Sequence, residues 1–506
     1  MRSGLSRIGV NRLSEFAAMM GSGCLRGKPD TGGAWRAEAC PQLPRKGAVA
    51  RTAFAHARTM RLSFAPLPGT HLRAPMDTSI KSLGPCEIVS PLRHIGGVEV
   101  NFRTADDRVL FDNTLDLDEG PAQAGPPLSF EAAGPREQIF FNPAKTTAAI
   151  VTCGGLCPGL NDIIRGLVTQ LNYRYAVTKV YGFRYGYEGL IARYGHTPLL
   201  LRPESVAQIN NFGGSILGTS RGPQSIEEMV DLLEEMKIDL FFVVGGDGTL
   251  RGAAEVAAEC ARRGLKKAVV GIPKTIDNDI MYLDKSFGFE TAFAAAVQAV
   301  KCAYIESVGS VNGLGLIKLM GRDSGFIACY AALAGGNVDF VLIPEVPFRL
   351  DGERGLLEAL RYRLAKKKSA VVVVAEGAGQ DLMQDEAGTD ASGNRKYGDI
   401  GLFLKDRING FFKERRTECN LKYIDPSYII RSVPANAQDN VYCSQLAQHA
   451  VHAAMAGKTA LLVGRWHGAF VHLPIALATQ GRKKVDPQSE LWHSVLESTG
   501  QPARLL

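Results

Sequence analysis

Long apolar runs are missing from this chain: none approaches the roughly 20 consecutive residues that a membrane-spanning helix needs. Its 45% apolar content over 506 residues therefore reads as the core of a soluble protein with no membrane partner. The ten cysteines lack the spacing of a disulfide framework and mostly lie in apolar runs, the pattern of small buried thiols in a reducing compartment. Cys153 and Cys157 stand four apart, but no second pair completes a zinc site. They read as packing residues, with a redox switch as the lesser alternative. Acids are scarce in the first 75 positions, where only Glu15, Asp30 and Glu38 face 12 Lys and Arg. A net charge of +7 thus leaves the remainder slightly acidic. A nucleic-acid binder carries its basic surplus on the folded domain, so nucleic acid is excluded as a partner. The acid-poor segment is rich in Arg, Ser, Ala and Gly and lacks a continuous apolar h-region, which is the composition of an organelle transit peptide. A disordered leader with no address is the competing reading.

At this length one simple core is not enough, so at least two domains with extensions are expected. Residues 76–145 mix short extended stretches with turn residues, including Gly120-Pro121 and Gly125-Pro126-Pro127, and read as an arm wrapped on a domain. From Ala148 the texture changes. Short apolar runs at Ala148–Cys153, Leu240–Val244, Ala268–Ile272, Gly315–Leu319, Phe340–Ile343, Ala370–Ala375 and Ala460–Val463 alternate with helical periodicity, as in Ser225–Met236. This alternation predicts α/β units around mostly parallel sheets. In such folds ligands bind outside the carboxyl ends of the strands.

Those strand ends carry unusual residues. Gly245-Gly246-Asp247-Gly248-Thr249-Leu250 closes one strand and opens a helix expected from Thr249 to about Arg262. Pro273-Lys274-Thr275-Ile276-Asp277-Asn278-Asp279 follows the next strand. Glycines let backbone approach a phosphate, and helix N-termini aim N–H groups at it. Three carboxylates would repel that phosphate unless a divalent cation sits among them, so the pair of loops points to phosphoryl transfer. Asp247 reads as a Mg²⁺ ligand rather than a plain helix cap. Thr275, Asp277 and Asp279 alternate, so on an extended segment all three face one side, where they orient an alcohol and accept its proton. A plain Asx-rich turn is the bland alternative. The turn at Cys153–Asn161 and the loop Gly213–Pro223, with Arg221, are further phosphate-loop candidates. Arg322, Glu376 and Arg431, each just past a strand, suit a sugar phosphate.

In order, CGGLCPGLND (153–162), GGSILGTSRGP (213–223), GGDGT (245–249), PKTIDND (273–279), FGFET (287–291), KLMGR (318–322), IPEVPF (343–348), VAEGAGQ (374–380) and YIIR (428–431) resemble the 6-phosphofructokinase family, most closely its plant-type ATP-dependent branch. GGDGT alone also occurs in NAD kinases and lipid kinases; the ordered series is specific. The resemblance spans roughly 135–474. It implies two Rossmann-like three-layer α/β domains behind an N-terminal extension. The nucleotide part is mainly 146–290 and the substrate part mainly 291–430, within a catalytic region 146–480 followed by a C-terminal tail, 481–506. It also implies ATP-dependent phosphorylation of fructose 6-phosphate at its 1-hydroxyl, with Mg²⁺, in glycolysis, by an effector-regulated homotetramer. Gly154, Arg221, Gly222, Gly246, Asp247, Gly248 and Thr249 would touch the nucleotide, and Asp247 would hold Mg²⁺. Asp277 would be the base. Thr275, Ile276, Met320, Gly321, Arg322, Glu376, Tyr428, Ile429, Ile430 and Arg431 would hold substrate, while Arg221 and Arg322 would stabilise the transferring phosphoryl.

Three positions depart from the family pattern. Pyrophosphate-dependent members carry Asp at position 248 and Lys at 274, and bacterial ATP enzymes carry Gly at both. Here Gly248 stands beside Lys274, and Gly248 favours ATP, with pyrophosphate as the alternative donor. Gly313 replaces an arginine that reaches a neighbouring subunit's substrate in bacterial members, and Tyr428 replaces a histidine. A non-catalytic sugar-phosphate-binding subunit would be expected to lack Asp247, Asp277 or Arg322, and all three are present. The expected location is the plastid, with the cytoplasm as alternative.

Overall fold

The computed structural model describes residues 76–94, 100–114, 127–383, 388 and 396–505. The basic leader and the turn residues Gly120-Pro121 and Gly125-Pro126 lie outside the described residues. In chain order, β1 (Arg108–Leu110) and β2 (Ser129–Ala132) precede β3 (Thr147–Thr152), α1 (Leu160–Tyr175), β4 (Lys179–Phe183) and β5 (Leu199–Leu200). Then follow α2 (Ile226–Glu235), β6 (Leu240–Gly245), α3 (Asp247–Arg262), β7 (Ala268–Pro273) and α4 (Phe289–Val308). The next stretch holds β8 (Gly313–Leu319), α5 (Phe326–Gly335), β9 (Phe340–Leu342), α6 (Leu356–Lys367), β10 (Ser369–Ala375), α7 (Ile400–Glu414) and β11 (Asn420–Ile424). The short α8 (Ser427–Ser432) and α9 (Ala437–Met455) return the chain to β12 (Leu461–Trp466) and β13 (Ala469–Pro474), and α10 (Glu490–Thr499) follows.

Two sheets result. The first runs β1-β2-β13-β12-β7-β6-β3-β4-β5, and the second runs β9-β10-β8-β11. The second sheet is parallel throughout, as are the central strands β12 to β4 of the first. Every residue of β3, β6 and β7 is buried, because helices cover both faces of a parallel sheet. This explains why these strands read as unbroken apolar runs rather than as alternating ones. The expected α/β architecture with two sheets is present, and β12 and β13 cross back to the first sheet from beyond the second. Among the described residues no helix is long and apolar enough to cross a membrane.

Element boundaries follow local chemistry. Helix α2 begins at Ile226 because the Ser225 hydroxyl accepts the Glu228 N–H at 3.2 Å, filling one of the donors a helix start leaves unpaired. Helix α3 starts two residues before the expected Thr249, since extended Gly246 serves as its cap.

Two expectations about the ends change. The arm does more than wrap: β2 pairs with β13 and β1 with β2, adding antiparallel strands to the first sheet. Residues 481–506, expected as a tail, are structural. Trp492 and Val495 of α10 are buried in the core, and the Gln501 side chain accepts the Val341 N–H at 2.6 Å. The apolar face of α10, formed by Leu491, Trp492, Val495 and Leu496, lies in an otherwise polar segment, and its place in the core is set by distant packing. Trp492 is 2% exposed, so Trp492→Ala should cost about 3–5 kcal/mol by urea denaturation; a dispensable tail would give a change near zero.

Candidate active site

Strand register assembles the first half of the site. Thr152 pairs with Val244, Val244 with Ile272, and Gly245 with Pro273. The loops leaving β3, β6 and β7 therefore start at one level, side by side. Buried Lys274 donates from Nζ to the Gly155 carbonyl at 2.7 Å, tying the third loop to the first. Burial lowers the pKa of its ammonium. Gly154 takes φ 81°, a left-handed conformation that glycine adopts at little cost, and its N–H donates to the Ser220 carbonyl at 2.9 Å. Arg221 is thereby brought to the turn. A Cβ placed on Gly155 would lie 3.2 Å from Arg221 Nη2 and 3.9 Å from Arg431 Nη1. Gly222 follows Arg221 with φ 104°. The Gly213–Pro223 loop is anchored by Asn161, whose side chain donates to Phe212 O and accepts from Ile216 N, both at 2.9 Å.

Asp247 is the first residue of α3 and forms an ion pair with Arg251 one turn on. Its side chain is 15% exposed, and Thr249 packs its side chain against Gly245. A Mg²⁺ ion typically takes one or two carboxylates and completes its shell with phosphate oxygens and water. A single carboxylate on the first turn of a helix fits such an ion, provided Arg251 shares or gives up its partner. Among the described residues no three His, Cys, Asp or Glu side chains gather as a self-sufficient metal cage.

The Thr275–Asp279 segment is not extended as expected; it bends at Ile276 and Asp277, and Asn278 adopts φ 56°. The bend still joins the polar groups. Thr275 Oγ1 donates to Asp279 Oδ1 at 3.0 Å and accepts the Asp277 N–H at 3.1 Å. Ser286 supports the bend from below through the Thr275 carbonyl at 2.6 Å. Asp277 Oδ1 is buried, and among the described residues no donor reaches it. Burial, reinforced by the neighbouring charges of Asp279 and Glu376, raises the Asp277 carboxyl well above the usual carboxylate range; Arg322 opposes this.

The second sheet supplies the facing half. Leu319 pairs with Ala375 and Ile317 with Ile424, so the loops after β8, β10 and β11 also lie together. The Ser324 hydroxyl donates to the Asp277 carbonyl at 2.9 Å, closing one half on the other. Glu376 N–H donates to Leu319 O at 2.8 Å, and Gly377 N–H to Gly321 O at 3.1 Å. Burial raises the Glu376 carboxyl while Arg322 and Lys318 pull it down. The Arg322 guanidinium lies over the Tyr397 ring at 5.7 Å, and that of Arg431 over the Tyr428 ring at 4.7 Å. A Cβ on Gly213 would fall 1.8 Å from the Ser432 carbonyl oxygen, a close approach that brings the Arg221 loop against α8.

Most of the expected site residues meet here, with distinctions the sequence did not make. Ile430 is fully buried and Ile276 nearly so, both within the core; their side chains pack, and only their backbone can face a ligand. Met320 packs against the same core. Tyr428 and Ile429 are 75% and 65% exposed, at the rim. Gly313 opens β8 where a Cβ would come 2.0 Å from the Ser307 carbonyl oxygen, so no side chain can reach outward from it. Cys153 and Cys157 are buried, with thiols raised by desolvation, Cys153 to about 12, which suits packing rather than reactivity. Two residues were missed. Arg482 and Lys483, assigned to the tail, lie against the Asp277 loop: the Lys483 N–H donates to the Asp279 carbonyl at 2.7 Å, and Arg482 stands 3.6 Å from the Asp279 carboxylate. Their only signal was the basic run Arg482-Lys483-Lys484.

Known proteins bear on this arrangement. The family described as Phosphofructokinase matches residues 147–454, and the chain belongs to that family. It is 50% identical over 438 residues to the ATP-dependent 6-phosphofructokinase of Amycolatopsis methanolica, covering 84% of this chain and 95% of that protein. It is 49% identical over 370 residues to the chloroplastic ATP-dependent 6-phosphofructokinase 5 of Arabidopsis thaliana, covering 73% and 68%. The solved structure of a pyrophosphate-dependent phosphofructokinase from Marinobacter aquaeolei superposes with a TM-score of 0.59 at 21% identity, covering 70% of this chain and 91% of that one; this likeness establishes the shared fold.

The charge of Asp279 raises the Asp277 carboxyl, so removing it must lower the Asp277 midpoint. In Asp279→Asn, which keeps an oxygen for Thr275, the Asp277 midpoint in carboxyl ¹³C NMR should fall by on the order of one pH unit. An unchanged or higher midpoint would show that the two carboxylates do not interact.

Proposed function

We propose that this chain is an ATP-dependent 6-phosphofructokinase that transfers the γ-phosphoryl of ATP to the 1-hydroxyl of fructose 6-phosphate, giving fructose 1,6-bisphosphate and ADP. The observation that carries this reading is the buried Asp277 Oδ1, which no donor reaches among the described residues, in a carboxylate opposed by Arg322. Asp277 takes the hydroxyl proton as the new O–P bond forms and the bond from the γ-phosphorus to the ADP oxygen breaks. Arg221 and Arg322 neutralise charge on the transferring oxygens. Glu376 accepts hydrogen bonds from sugar hydroxyls, and Arg431, beside Tyr428, grips the sugar's own phosphate. Thr275 holds the Asp277 backbone in place. Gly222, Gly246 and Thr249 offer backbone N–H groups to the nucleotide phosphates, and Gly154, whose N–H is held by the Ser220 carbonyl, lines the turn beside them. Mg²⁺ held by Asp247 would supply positive charge to the donor's phosphates.

Gly248 supports ATP as donor. A Cβ there would meet nothing within 4 Å, and its φ lies outside the left-handed region that demands glycine. Neither packing nor backbone explains a residue that weakens a helix, so the space serves a ligand. Lys274 favours the second reading, pyrophosphate, because its buried ammonium stands at the phosphate loop. The family resemblance further supports an effector-regulated homotetramer, a state that sedimentation measures directly. The acid-poor leader and the chloroplastic relative support a plastid address, which an import assay on residues 1–75 decides.

Purified protein should turn over fructose 6-phosphate with ATP, and Gly248→Asp should lower kcat/KM for ATP at least about tenfold by setting a like charge against the donor phosphates. Turnover with pyrophosphate alone would overturn the donor assignment, and no turnover with either donor would remove the enzymatic reading.

A further inference from the structure

The segment Arg482–Val485 crosses the seam between the two sheets and holds both sides. On the first-sheet side, Arg482 forms a β-bridge with Ile280. Lys483 donates its backbone N–H to Asp279 and its ammonium to the carbonyls of Leu283, at 2.8 Å, and Asp284, at 3.2 Å. On the second-sheet side, the Val485 N–H donates to Glu345 Oε1 at 2.8 Å, and the same oxygen accepts the Gly325 N–H at 3.0 Å at the start of α5. These backbone and lysine contacts fix the strap whatever side chain stands at 482.

The Arg482 guanidinium then has two carboxylate partners, one on each side: Asp279 at 3.6 Å and Asp323 in an ion pair. Each partner leads to one member of the reacting pair. Asp279 accepts from Thr275, which accepts the Asp277 N–H. Asp323 accepts the Tyr397 hydroxyl at 3.1 Å, and the Tyr397 ring underlies the Arg322 guanidinium. We propose that Arg482 is a positioning residue for phosphoryl transfer: it sets the Asp277 base and the Arg322 guanidinium relative to each other through two parallel side-chain relays, without touching substrate. This rests on the proposed transfer reaction. A planar guanidinium with several donors can serve two carboxylates at once, and misplacing reacting groups by about 1 Å can cost on the order of 10²-fold in rate.

The test compares Arg482→Leu, Arg482→Lys, the exposed neighbour Lys484→Ala, Asp323→Asn, and the double variant Arg482→Leu/Asp323→Asn, in the full chain with the donor that supports turnover. Arg482→Leu should lose about 10- to 100-fold in kcat while KM for that donor stays within about threefold, and Arg482→Lys, which keeps the charge but not the fork that serves two carboxylates, should recover only part of that loss. Lys484→Ala should keep kcat within about twofold, as expected of a charge with no relay. Independently of turnover, the double variant should melt no lower than the more affected of its single parents, because both remove the same pair. Wild-type kcat in Arg482→Leu, wild-type kcat in Arg482→Lys, or additive melting losses would each overturn the proposal. An inactive wild type would instead refute the enzymatic reading, while the melting cycle would still decide whether Arg482 is coupled to Asp323.

Discussion

The hydrogen-bonded register of β3, β6 and β7 is the constraint on which the site depends. Pairing Thr152 with Val244 and Val244 with Ile272 places three turns at one edge. A slip of one residue would turn each strand's side chains to the opposite face. The second sheet repeats the device with Leu319 opposite Ala375. Because parallel strands all present their carboxyl ends on one side, two such sheets bring together the loops and helix starts that leave those ends. Short contacts such as Ser324 to Asp277 then fix the gap.

That geometry forces like charges together. Asp277, Asp279 and Glu376 are all raised by burial, an arrangement that opposes ionisation and persists only with compensation. The compensating cations come from different parts of the chain: Arg322 after β8, Lys274 after β7 and Arg482 beyond β13. The result is a base whose affinity for a proton exceeds that of an ordinary aspartate, facing arginines suited to phosphate. Such tuned groups concentrate at reacting sites.

Much of this was legible in the sequence because it is local. Apolar runs ending in glycine or proline marked β6 and β7, and their loops carried Asp247 and Asp277 within a few residues of the strand ends. What was not legible is set by distant packing. The alternation of Thr275, Asp277 and Asp279 suggested an extended segment, but Ser286 and the Thr275 side chain hold it in a bend. Ile430 stands beside Arg431 in a motif expected to hold substrate yet fills the core, since neighbouring residues of a helix point to different sides. Arg482 lies more than 200 positions from Asp279 in sequence, and no local pattern announces that they meet. The leader's role falls outside the described residues.

The central claim is that the unpartnered oxygen of Asp277 removes the proton in the transfer step. Single-turnover formation of fructose 1,6-bisphosphate by Asp277→Asn, with both substrates saturating, tests it directly. The account predicts that both substrates still bind within several-fold of the native protein while the chemical step slows by roughly 10²–10⁴-fold. A chemical step at the native rate would contradict it.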